Sequence, residues 1–180
     1  MTDGYDAARG RRNALERLGE KIPGFRGFQD RELRRDVDRL QREHLAAELT
    51  HIKGALRQRA RAAADRGGLD GLGAFERLDR QLDGLAQSVR FSDYGAAGLF
   101  DAVKIGEAEL QKLYEFDLAL LDEVAALDGE VAALPAAGEE GADATLERLE
   151  ERVRALADRW RRREAVISDV VKTAQETPGT

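Results

Sequence analysis

Cysteine is absent from this 180-residue chain. That excludes disulfides, thiol nucleophiles, iron–sulfur clusters and any zinc site built on cysteine. Serine is nearly as scarce. Ser88, Ser92 and Ser168 are the only three, and none sits in the glycine-flanked elbow of an acyl-transfer nucleophile. Proline stands only at Pro23, Pro135 and Pro178, so long stretches carry no helix breaker. No apolar run approaches the roughly 20 residues that a membrane-spanning helix needs. Met1 to Arg12 contain Asp3 and Asp6 and no apolar run, which does not read as a secretory signal. The expected setting is the cytoplasm.

What is abundant is charge: 36% of residues are Asp, Glu, Lys or Arg, against 42% hydrophobic ones. With plentiful Ala and Leu, this composition points to long helices. The net charge of −6 argues against a general nucleic-acid binder, which presents a basic face. Charge is also unevenly placed. Residues 1–66 hold 16 basic and 11 acidic side chains, whereas residues 67–180 hold 13 and 24. Packing of one part on the other would neutralise the difference. The sharper reading is that the basic stretch meets an acidic partner or an anionic membrane surface.

The strongest pattern runs from Glu107 to Val171. Leu110, Leu113, Asp117, Leu120, Val124, Leu127, Val131 and Leu134 alternate spacings of three and four residues, a heptad stripe on one helix face. Leu146, Leu149, Val153, Leu156, Trp160, Arg163, Ile167 and Val170 repeat the rhythm. A short connection from Pro135 to Ala144 makes the two arms antiparallel. If Leu134 faces Leu146, the residue numbers of every facing layer add to 280, and the only two polar members of the stripes, Asp117 and Arg163, fall opposite each other. Either charge alone in an apolar seam would cost several kcal/mol, so a buried ion pair that fixes register is expected. The alternative is that Asp117 is a catalytic or metal-binding carboxylate.

The expected fold is all-α: an elongated antiparallel helical bundle ending in a long coiled-coil-like hairpin, in one domain spanning residues 1–180. Helices are expected over about 7–20, 31–65, 74–88, 107–134 and 145–174, the last capped by Asp143 or Thr145. The second carries two stripes, one of Leu33, Val37, Leu40, His44, Ala47 and His51 and one of Leu45, Leu49, Ile52 and Leu56, as a helix with two neighbours would. Gly67 to Gly73 hold four glycines, but no Lys-Ser/Thr follows and no strand precedes them, which argues against a phosphate loop and for a turn.

Two irregular loops interrupt the helices. Residues 22–28 combine Pro23 and two glycines with Ile22, Phe25, Arg26 and Phe28. Residues 90–105 hold Phe91, Tyr94 and Phe100 among two glycines, with short extended pieces expected at Val89–Phe91 and Val103–Ile105. Apolar side chains in such loops either plug the end of a bundle or form a recognition surface. Phe25, Arg26, Phe28, Phe91, Tyr94 and Phe100 are therefore candidate interaction residues.

The only two histidines, His44 and His51, lie seven residues apart with Glu48 between them. The spacing admits a divalent-metal site of two nitrogens and one carboxylate. A di-iron bundle centre needs a second Glu-x-x-His motif, which the chain lacks. Half-buried histidines bonded to carboxylates are the competing reading. The primary expectation is no cofactor.

The segments Ile22–Phe28, Arg42-Glu43-His44-Leu45-Ala46 and Phe100-Asp101-Ala102-Val103-Lys104-Ile105 through Leu113-Tyr114-Glu115-Phe116-Asp117 resemble a family of short, uncharacterised prokaryotic helical proteins. The resemblance covers about two-thirds of the chain and implies no activity. The hairpin style is also similar to bacterial phage-shock and ESCRT-III-like membrane-remodelling proteins. The expected function is a non-enzymatic adaptor or scaffold that binds an unidentified protein or a second copy of itself. The alternatives are a peripheral membrane or filament-forming protein, and a metal-binding bundle using His44, Glu48 and His51.

Overall fold

The computed structural model describes residues 17–23, 31–66, 72–92, 107–135 and 141–176. Among these residues every regular element is helical and no strand occurs. The helices are α1 (17–21), α2 (Arg31–Asp65), α3 (Leu72–Phe91), α4 (Glu107–Ala132) and α5 (Ala142–Glu176). The all-α bundle expected from composition and period is what forms. No helix among the described residues is long and apolar enough to cross a membrane.

Among the helix ends that differ from expectation, three have a local cause. α3 runs on through Val89, Arg90 and Phe91, where an extended piece was expected. The stripe Phe75, Leu78, Leu82, Leu85, Val89 continues in helical step, and burial of Val89 outweighs its preference for a strand. α4 tightens over its last turn: the Leu134 amide donates to the Val131 carbonyl at 3.2 Å. Pro135 then disfavours helical geometry at Leu134. α5 begins at Ala142, ahead of the expected start. Its first helical bond runs from the Thr145 amide to the Gly141 carbonyl, 3.0 Å, so Gly141 is the cap and neither Asp143 nor Thr145 is. Gly141 enters the helix at φ +84°, a left-handed conformation that glycine adopts without the penalty a Cβ would bring. Asp143 falls instead in the first turn, where an acid suits the helix dipole.

The chain divides into two compact units, and α2, α4 and α5 each run through both. The second unit comprises Leu45–Phe91 and Leu121–Trp160. Its core is the face expected of α2 (Leu45, Leu49, Ile52, Leu56), the α3 stripe, and the two arms of the seam from Val124 to Leu134 and from Leu146 to Trp160, all buried. Polar pairs along the flanks define which helices touch. Lys53 pairs with Asp83 and Arg57 with Asp79, joining α2 to α3 in antiparallel order. Arg77 reaches Glu150 at 3.1 Å, joining α3 to α5. Glu130–Arg152 at 2.7 Å and Glu123–Arg159 join α4 to α5 in the expected antiparallel register. Arg59 ties α2 to α4: its guanidinium donates to the Leu134 carbonyl at 2.9 Å and to that of Ala132, satisfying carbonyls that the end of α4 leaves open. The four segments thus close a ring in the order α2, α3, α5, α4.

From Leu40 onward, the other stripe expected on α2 is not a second core face. Leu40 and His44 are half-buried, and Ala47 and His51 are exposed. A row of His, Ala and His buries too little apolar area to hold a neighbour.

The first unit comprises Met1–His44, Ser92–Leu120 and Arg161–Thr180. Leu18 and Ile22 are buried in it, with the Ile22 amide closing a last helical bond on the Leu18 carbonyl at 2.9 Å. Ile22 thus fills the interior as a plug would. Beside such apolar groups as Leu113 and Leu118, this unit buries Asp38, Gln41, Arg42, Asp117 and Arg163.

Candidate functional site

The register rule placed Asp117 against Arg163, and the two meet there. Arg163 Nε donates to Asp117 Oδ1 at 2.6 Å and Nη2 donates to Oδ2 at 3.0 Å, a forked arrangement with both side chains almost fully enclosed. Arg163 does more than pair with Asp117. Its Nη2 also donates to Asp38 Oδ1 on α2 at 2.7 Å, and the other oxygen of Asp38 accepts from Arg42 Nε at 2.9 Å. Gln41 donates to Asp117. The result is a chain, Arg42–Asp38–Arg163–Asp117–Gln41, with two positive and two negative charges.

Burial pushes the Asp117 carboxyl above its ordinary value, and the Arg163 charge together with hydrogen bonds from Arg163 and Gln41 only partly offsets this. For Arg163 burial works against the charge, but Asp117 and Asp38 outweigh it and hold the guanidinium above its usual value. Arg163 is therefore a fixed cation. Each carboxylate is already committed to an arginine. This network sets register and joins three helices; its carboxylates offer no free base or ligand pair for chemistry.

A second feature lies in the other unit. α2 and α3 leave an open groove of about 380 Å³ between them. Its floor is Leu56, Ala60, Ala64, Leu72 and Phe75, and its rim is Arg57, Arg61, Glu76, Asp79 and Arg80. Leu56 and Phe75 are buried at its base, while Ala60 and Leu72 are half-buried and Ala64 is exposed. The rim charges are mostly spoken for. Arg57 holds both oxygens of Asp79, at 2.6 and 2.9 Å, and this bond depresses the Asp79 carboxyl below its ordinary value. Arg80 lies 3.8 Å from Glu76. Arg61 is exposed and has no ion-pair partner among the described residues.

The remaining sequence candidates fall in several places. Phe91 is 69% exposed, the one large hydrophobic side chain so exposed among the described residues, and it sits on the last turn of α3, where a loop was expected. Phe25, Arg26, Phe28, Tyr94 and Phe100 lie outside the described residues, as does the expected extended piece Val103–Ile105. His44 belongs to the first unit, and Glu48 and His51 to the second. Seven residues of helix separate the two imidazoles by about 10 Å of rise. His51 instead faces Asp128 of α4 at 4.0 Å. Among the described residues no three His, Asp or Glu side chains converge as a metal site would require.

Sequence reasoning missed Asp38, Gln41 and Arg42. The signal was present in the phase of α2. Stepping back one heptad from the buried Leu45 and Leu49 reaches Asp38 and Arg42, so all four lie on one helix face. The groove had no signal of that kind, because it depends on the spacing of two helices. No family model, no curated protein and no solved structure matches this chain.

Proposed function

We propose that this protein is a non-enzymatic helical adaptor of the cytoplasm that acts by binding another protein through its α2–α3 face. The groove is the observation that supports the reading. A packed helical bundle gains stability by covering apolar side chains, yet here Leu72, Ala60 and Ala64 border an open trough above the buried Leu56 and Phe75. Two helices presenting such a trough match the helix-in-groove mode of recognition. The buried charge network weighs against the catalytic reading of Asp117, because that carboxylate is engaged by Arg163 and Gln41.

The test compares the intact chain with Ala60→Trp, which fills the groove from a half-buried position. Cross-linking in native cells, followed by reconstitution from purified components, is expected to yield a partner that binds the intact chain and is lost from the variant. Identical binding by both proteins would refute docking at this face.

A further inference from the structure

We infer that the groove between α2 and α3 takes an amphipathic helix of a partner protein whose apolar stripe is edged by carboxylates. The inference rests on the docking reading above and adds the chemistry of the occupant. Shape argues for a helix. Ala60 and Ala64 stand one turn apart on α2 and place small side chains along the trough, with Leu56, Leu72 and Phe75 supplying apolar contact around them. Small residues let a helix backbone approach closely, and larger apolar side chains of the occupant then have somewhere to go.

Charge decides the edge. The rim has three arginines and two carboxylates. Arg57 is satisfied by Asp79, and Glu76 lies beside Arg80. That leaves Arg61 as the rim cation without an ion-pair partner among the described residues. A helix laid in the groove would strip water from Arg61. An uncharged edge would leave that guanidinium desolvated and unmatched, a basic edge would repel it, and an Asp or Glu would meet it with a charge-assisted hydrogen bond. A nucleic-acid strand fits poorly, since the apolar floor of Leu56, Ala60, Ala64, Leu72 and Phe75 offers its charged backbone no match. An anionic membrane fits poorly too, because the apolar residues line a concavity whereas a bilayer surface requires them to protrude.

The test is a displayed library of amphipathic helices with a fixed apolar stripe and randomised edge residues. It is selected against the intact chain and counter-selected against Ala60→Trp. Groove-dependent binders enriched in Asp and Glu at the edge are expected, with affinity falling roughly three- to tenfold on Arg61→Glu and recovering when an edge carboxylate is changed to Lys. Far-UV circular dichroism and melting of both variants establish that they fold, and Arg61→Glu alters an exposed side chain. Absence of any groove-dependent binder would overturn the docking reading itself. Groove-dependent binders with no acidic bias, or indifferent to Arg61→Glu, would overturn this inference and leave docking standing. Groove-dependent sedimentation with phosphatidylcholine–phosphatidylserine vesicles, or groove-dependent self-association, without acidic-helix binding would overturn it in favour of a membrane or a second copy.

Discussion

Arg163→Met is expected to be more damaging than Asp117→Leu, although the two residues form one forked pair. The asymmetry follows from Asp38. Removing the guanidinium deletes at least three hydrogen bonds at once, among them two to Asp117 and one to Asp38. Asp38 then keeps Arg42, but Asp117, 1% exposed, keeps no cation in the network and retains only Gln41. A buried charge stripped of its partner costs about 3–5 kcal/mol. Removing Asp117 instead leaves Arg163 bonded to Asp38, a carboxylate it then shares with Arg42, so its charge is partly matched rather than stranded and the loss is smaller, about 1.5–3 kcal/mol. The double variant leaves the local Asp38–Arg42 pair and no stranded charge, and apolar side chains of similar bulk fill the seam. Its cost is expected to be about 2 kcal/mol, below that of Arg163→Met alone and well below the sum of the singles. Urea unfolding of the four proteins, followed by far-UV circular dichroism with m-values compared, measures all three differences. Additive single effects, or an Asp117→Leu cost equal to that of Arg163→Met, would refute the shared-carboxylate reasoning.

Glycines offer a contrast of sign. Gly54, Gly84 and Gly129 are exposed within helices and have open space where a Cβ would project, so alanine at each should add roughly 0.5–1 kcal/mol, whereas Gly141→Ala should lose about 1–2 kcal/mol because its φ of +84° penalises any Cβ; thermal melts of the four variants read the difference. Arg59→Lys should destabilise the second unit by about 1 kcal/mol despite keeping the charge, since a single ammonium cannot reproduce the fork onto the Ala132 and Leu134 carbonyls; native-state hydrogen exchange at the end of α4 should rise, and unchanged exchange would count against the cap. The Arg57–Asp79 pair carries a pH signature. The hydrogen bond from Arg57 holds the Asp79 carboxyl below its ordinary 3.8, so its stabilisation is fully present above that value and is lost as pH falls from 3.8 through the lower folded value. The stability difference between the intact chain and Asp79→Asn should therefore shrink over that acid range, and a difference that stays constant would show the pair does not act.

The seam was legible because two independent properties agreed along it: a strict three-four spacing and a loop short enough to force antiparallel arms. Its two polar exceptions could be paired by arithmetic alone. The same arithmetic stopped one residue short. A guanidinium has five N–H donors, and a single carboxylate facing it as a fork engages two of them. An arginine buried to 1% exposure therefore implies a further acceptor, and the place to look is any helix whose core phase is interrupted by an acid. α2 has such an interruption at Asp38, with Arg42 one turn on to balance it. It was overlooked because a search for apolar stripes follows the two-histidine row through Leu40 and stops scoring where the true core face turns polar. The α3 terminus failed for a different reason. Val89, Arg90 and Phe91 read as extended by local preference, and only the burial of Val89 beneath the continuing stripe carries the helix onward to leave Phe91 exposed at its end. The groove is one step further from the sequence. Ala60, Ala64 and Leu72 are ordinary members of helix faces until α3 packs on α2 through Lys53–Asp83 and Arg57–Asp79. Those two bridges consume basic charge that composition alone offered to an outside partner, and they leave Arg61 as the residue through which the surplus on that rim can still act.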